Sequence, residues 1–80
     1  MNIGTAVKLR IVELCNINQI SLNKLATLSG VTQSTLNNII SGRNNSTTIS
    51  TIKKICDGLH ISIIDFFNCD IFNNLEQEVK

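Results

Sequence analysis

The sequence predicts a single all-α domain of five short helices within its 80 residues, and three observations predict it. Apolar residues recur at helical spacing in five separate stretches. A serine or threonine precedes four of those stretches, where its side-chain oxygen can cap the first turn. Short breaks rich in Asn, Ser or Gly separate them, with no internal repeat, long linker or domain boundary. Short helices joined by short connections make an all-α domain.

The first helix spans about residues 4–16, with Val7, Ile11 and Leu14 at i, i+4 and i+7. Ile3 and Arg10 lie near the same side, whereas Leu9 and Val12 fall off the stripe and should be partly exposed. Asn16 and Asn18 favour a turn and break the pattern. Ser21 caps a second helix over residues 22–28, in which Leu25, Ala26 and Leu28 supply the apolar contacts. Gly30 takes the left-handed position after it, Val31 plugs the gap, and Thr32 caps a third helix over residues 33–41 that Gly42 ends. A polar loop, "RNNST", follows. Thr48 then caps a fourth helix over residues 49–59 with Ile52, Ile55, Cys56 and Leu59 inward, and His60 is a left-handed or turn residue. Ser62 caps the last helix, with Ile63, Phe66 and Phe67 inward; this helix is expected to continue through Asn68 to Leu75. Residues 4–67 form the core of the domain and 68–80 a C-terminal extension.

Composition narrows the possible activities. The apolar fraction of 42% suffices for one core and is too high for a disordered chain. Cys15, Cys56 and Cys69 are odd in number, form no C-x-x-C pair and accompany a single histidine, His60. Disulfide scaffolds and zinc sites both fit badly. The cysteines occupy positions read as core or near-core, and no carboxylate pair is in helical register with a pocket, so an enzyme is not expected, nor a metal or cofactor. There is no charged-then-apolar leader, and no apolar run approaches the roughly 18 residues of a membrane span. A cytoplasmic protein with reduced thiols is expected.

The net charge of +1 is small but unevenly spread. Residues 1–54 carry six basic groups (Lys8, Arg10, Lys24, Arg43, Lys53, Lys54) against Glu13 alone. Residues 55–80 carry Lys80 against Asp57, Asp65, Asp70, Glu76 and Glu78. A basic face could therefore meet an anion while the acidic end points elsewhere.

The stretch "GVTQSTLNNIISGRNN" holds the chemistry. Leu36, Ile39 and Ile40 form an apolar stripe, and Ser34, Asn37, Asn38 and Ser41 repeat that spacing on the opposite face. Ser and Asn are poorer helix formers than the Glu, Lys, Gln and Arg usual on a solvated face, so something other than helix stability selects them. Two short helices joined by a tight glycine turn suit a DNA-binding helix-turn-helix. Near the helix N-terminus Gln33 can make two bonds to an adenine edge, and Asn can do the same. Ser34 and Asn37 are short enough to let the backbone approach the groove floor. Ser21, Thr32 and Ser41, with the exposed N–H groups of helix N-termini, can hold phosphates. Arg43, Asn44 and Asn45 sit where a phosphate clamp would follow.

Over about residues 7–67 the chain resembles the lambda-repressor-like (Xre-type, phage repressor and Cro) helix-turn-helix family. The resemblance lies in Leu25-Ala26, Gly30, Val31, Gln33, Leu36, Ile39 and Gly42, then Ile55, Leu59, Ile61 and Phe66-Phe67. It implies a five-helix DNA-binding domain with the helix-turn-helix at helices two and three, and a sequence-specific, repressor-like transcriptional regulator. It places Gln33, Ser34, Asn37 and Asn38 on base-reading positions, and Ser41, Arg43 and Asn44 on or beside the phosphate-contacting turn. Three departures stand out. Leu22 replaces a glutamine that often braces the base-reading Gln, Thr47 replaces a common proline, and Cys15 with Ile40 replaces a frequent Arg–Glu pair. Exchanging both halves of a buried ion pair together for apolar groups can be neutral or stabilising. Cys15 and Ile40 should then touch in the core.

Double-stranded DNA is thus the expected partner, with no membrane and no small-molecule ligand. Ile64, Ile71, Phe72 and Leu75 would share one face of a continuous last helix, and a patch of that kind is seldom left uncovered. A homodimer through those four residues is expected, as two-fold operators require. The alternative is a protein-interaction module with the same fold, such as an antitoxin or an accessory subunit.

Overall fold

The computed structural model describes residues 1–42 and 47–79. These form α1 (Ile3–Asn18), α2 (Leu22–Ser29), α3 (Gln33–Ser41), α4 (Ile49–Leu59) and α5 (Ile63–Phe67), then a single 3-10 turn at Asp70–Asn73. No strand occurs among the described residues, and no described helix is long and apolar enough to cross a membrane.

Every α-helix starts on a side-chain cap. The side chains of Asn2, Ser21, Thr32, Thr48 and Ser62 each accept a bond from the backbone N–H three residues on, at 2.8–3.2 Å. Such a cap satisfies one of the N–H groups a helix start leaves unpaired. Ser62 also donates its N–H to Asp65 Oδ2, completing a capping box. The cap of α1 is Asn2, so this helix begins one residue before its expected start.

The helix ends fall into two kinds. Gly30 and Gly42 end α2 and α3 with φ of +70° and +78°, the region that favours glycine. Gln19 and His60 adopt left-handed φ of +55° and +59° at the ends of α1 and α4 despite their side chains. Paired reversal bonds hold both. Gln19 and Ile20 donate to Asn16 O and Cys15 O, and His60 and Ile61 donate to Asp57 O and Cys56 O, at 3.0–3.3 Å. Ile20 and Ile61, the residues next along, pack on the core, a contact that often accompanies this closing motif. α1 outlasts the expected stop at Asn16 because Asn18 donates its amide to Leu14 O at 2.8 Å and Gln19 makes the turn.

The core gathers one stripe from each helix: Ile11, Leu25, Leu36, Ile55, Cys56 and Phe66 are its most deeply buried large side chains. Cys15 is buried and Ile40 half-buried, and both pack on this core. Helix α2 packs chiefly against α4. A Cβ added at Gly58 would stand 2.9 Å from the carbonyl group of Leu28 and the Cα of Ser29, so the two backbones meet where α4 has no side chain.

The expected continuation of the last helix through Leu75 does not form. α5 stops at Phe67, Asn68 leaves helical geometry (φ −82°, ψ 71°), and Cys69 is extended. The reason lies on α1. Arg10 donates Nε to Phe66 O at 2.7 Å and Nη2 to Asp65 O at 2.8 Å. In a continued helix those carbonyls would accept from the N–H groups of residues 69 and 70; Arg10 takes their place. Its Nη1 pairs with Glu13 Oε1 at 2.5 Å, and the Cys69 thiol donates to the same oxygen at 3.5 Å. The chain folds back so that the Phe72 ring lies 4.9 Å from Phe67 and 6.2 Å from Phe66, centroid to centroid. Consequently Ile64, Ile71, Phe72 and Leu75 share no helical face. Ile64 is 79% exposed, Ile71 and Leu75 are half-buried, and Phe72 packs on the monomer core.

Candidate nucleic-acid interface

Helices α2 and α3 form a unit whose turn is fixed by short-range bonds. Gly30 reverses the chain and donates to Ala26 O at 3.0 Å, and Val31 is buried in the core. Ser29 adds a brace that sequence reasoning missed. Its hydroxyl donates to Leu25 O at 2.7 Å and accepts from Val31 N at 3.4 Å. The signal for it was slight, a serine directly before the turn glycine.

Packing and polarity divide α3 cleanly. Leu36 and Ile39 are buried, whereas Gln33, Ser34, Asn37, Asn38 and Ser41 are all exposed. The side-chain hydrogen bonds on this helix belong to Thr32, Thr35 and Ser41. Among the described residues the side chains of Gln33, Ser34, Asn37 and Asn38 have none. All four expected base-reading residues therefore lie exposed on one helix, with their donors and acceptors uncommitted among the described residues.

The residues expected at phosphates divide differently. The Ser21 and Thr32 hydroxyls serve as caps, so what these helix ends offer an anion is backbone. The N–H groups of Leu22 and Asn23, and of Gln33 and Ser34, have no intrahelical partner at these positions, and the helix dipole favours negative charge there. Ser41 turns its hydroxyl onto Asn38 O at 3.3 Å. Arg43, Asn44 and Asn45 lie outside the described residues.

Charge is more restricted than the sequence suggested. Arg10 is committed to α5 and Glu13, so it belongs to the scaffold and not to a free basic face. Its place on the apolar stripe of α1 was the available signal, because a cation there needs partners. Lys53 pairs with Asp57 at 2.5 Å. Lys8, Lys24 and Lys54 enter no ion pair among the described residues, and Lys24 stands in the first turn of α2. The Glu13 carboxyl lies below its usual range near 4.5, held there by the Arg10 guanidinium and then by the Cys69 thiol. Burial pushes the Cys15 and Cys56 thiols up, so they remain protonated core groups.

Leu22, half-buried against the core, presents no polar group from the first turn of α2. A mainly apolar recess of about 430 Å³ lies elsewhere, lined by Ile3, Val7, Ile49, Ile52 and Phe67 among others and by no residue of α3. The polar face of α3 is thus an open helix surface outside that recess, the form that suits a groove in a partner.

Comparison with known proteins agrees with that geometry. No curated protein matches the chain. A crystal structure described as that of the prophage Lp1 protein 11 superposes with a TM-score of 0.81 at 38% sequence identity, over 94% of this chain and 100% of that one. A family model for the Cro/C1-type helix-turn-helix DNA-binding domain matches residues 10–70, a span that takes in α2, α3, the Arg10 clamp and α5. This chain belongs to the Cro/C1-type helix-turn-helix DNA-binding family.

Proposed function

We propose that the protein is a sequence-specific, repressor-like transcriptional regulator that inserts α3 into the major groove of an operator as a homodimer. The observation that carries this reading is the open face of α3, where Gln33, Ser34, Asn37 and Asn38 are exposed. A helix of this width fits the major groove, and its amides can bond base edges there. The backbone N–H groups of the helix starts that Ser21 and Thr32 cap, with Ser41, Arg43, Asn44 and Asn45 after them, hold the flanking phosphates and set the register of α3 without reading sequence. Lys24 adds a cation beside the N-terminus of α2.

Two copies on a two-fold operator need a joint away from α3. With Phe72 committed to the monomer core, that joint centres on exposed Ile64 and draws on half-buried Ile71 and Leu75. Ile64→Asp should then shift the protein toward monomer in sedimentation and weaken operator binding, with helical content unchanged.

The decisive experiment measures binding to a selected duplex and to random DNA at several salt concentrations. Gln33→Ala is expected to cost about 1–3 kcal/mol on the selected site and to relax preference at one base pair. Arg43→Ala should weaken all sequences alike and flatten the salt slope by about one unit. Equal losses for both variants on both DNAs would remove the assignment. Tight binding to a protein without any DNA shift would favour an antitoxin or accessory subunit instead.

A further inference from the structure

The groove-facing side of α3 carries no formal charge. Between Thr32 and Gly42 there is no Lys, Arg, Asp or Glu. This matters because each base shows the major groove a different pattern. Guanine offers two acceptors, N7 and O6, and is best met by Arg or Lys, which only donate. Cytosine offers a donor and is met by a carboxylate. Adenine sets a donor, N6, beside an acceptor, N7, and a primary amide matches both because it carries one of each.

Three of the four open side chains on α3 are amides: Gln33, Asn37 and Asn38. None is tied to the protein's own groups among the described residues, so each keeps its donor and its acceptor. The fourth, Ser34, accepts any base that offers a partner. The Thr35 hydroxyl, which could have joined them, is held by Thr32 at 2.9 Å. We infer that the base pairs beneath α3 in this protein's operator are A·T pairs, read at the adenine N6 and N7 edge by Gln33, Asn37 and Asn38. This specificity takes α3 as the groove helix, as proposed above.

The test selects binding sites for the full chain from a randomised duplex pool, then replaces adenines in the selected site with 7-deazaadenine. That base lacks the N7 acceptor but keeps Watson–Crick pairing and the minor-groove edge. A·T pairs are expected at the positions beneath α3, and each contacted adenine should lose roughly tenfold in affinity on replacement. Gln33→Arg should convert one selected A·T pair per half-site to G·C and leave the other positions as they were. Selected guanine or cytosine at those positions for the wild-type chain overturns the inference. So does an A·T preference that survives 7-deazaadenine, since the sequence would then be read through minor-groove shape. Retention of no duplex at all overturns the groove-helix assignment itself and this specificity with it, so the two failures look different.

Discussion

Two of the joints between helices in this chain work by opposite means. Where α4 crosses α2, the joint depends on the absence of a side chain at Gly58, since a Cβ there would press to 2.9 Å of the α2 backbone. Where α1 meets the C-terminal segment, the joint depends on the reach of Arg10 to the carbonyls of Asp65 and Phe66. A backbone-to-backbone contact has nothing that can swing aside, so it yields only with the fold. A side-chain clamp can open locally while the core stays packed. Helix α3, joined to α2 by one tight turn, therefore depends on the first contact more closely than on the second.

Phe66→Ala should have the largest effect, because this ring is fully buried and belongs to the core more than to the tail. A loss of about 3–5 kcal/mol is expected, seen as one cooperative transition at lower denaturant. Two separate transitions would show that α5 is an independent unit. Gly58→Val comes next, at about 3 kcal/mol of overpacking, with loss of near-native spectra across α2, α3 and α4 together. If that variant kept native stability, the close approach would not be the support it is taken for. Arg10→Met removes three bonds while keeping much of the stem, and should cost about 1.5–3 kcal/mol. Hydrogen exchange should quicken in residues 65–75 while α2 and α3 remain protected; uniform exchange along the chain would abolish the contrast. The smallest effect is the pH response of Glu13. Its carboxyl is depressed in the folded state by Arg10 and Cys69, so its stabilising share is present above about pH 4.5 and fades as pH falls through the lower folded value. Glu13→Gln should flatten that part of the acid titration, and an unchanged acid midpoint would show that the pair is fully screened.

The same division decides what the sequence discloses. The starts of α2, α3, α4 and α5 coincide with Ser21, Thr32, Thr48 and Ser62 because a cap and its stripe lie within a few residues of one another. The ends of α3 and α4 are read for the same reason, from Gly42 and the left-handed His60. The polar face of α3 is legible because Gln33, Ser34, Asn37 and Asn38 are poor choices for a merely solvated helix. Asn2 as the cap of α1 and Gln19 as its left-handed end were missed, since asparagine-rich flanks offer several equivalent positions. The C-terminal segment was misread because its helix is interrupted from 55 and 56 residues away, by Arg10, and no local period records that. Gly58 gives no signal either, for its role exists only when two backbones meet.

The span of the Arg10 clamp also bears on time. Closing a loop of 55 residues carries an entropy cost that rises with its length, whereas α2 and α3 meet across one turn. The local pair can therefore form early in folding, and the clamp is expected late, once the core has ordered α1 and α5. Contacts made after the barrier slow escape from the native state more than they speed arrival. Loss of Arg10 should then steepen unfolding and leave the folding rate nearly unchanged, so this arginine governs how long a molecule stays folded more than how fast it gets there.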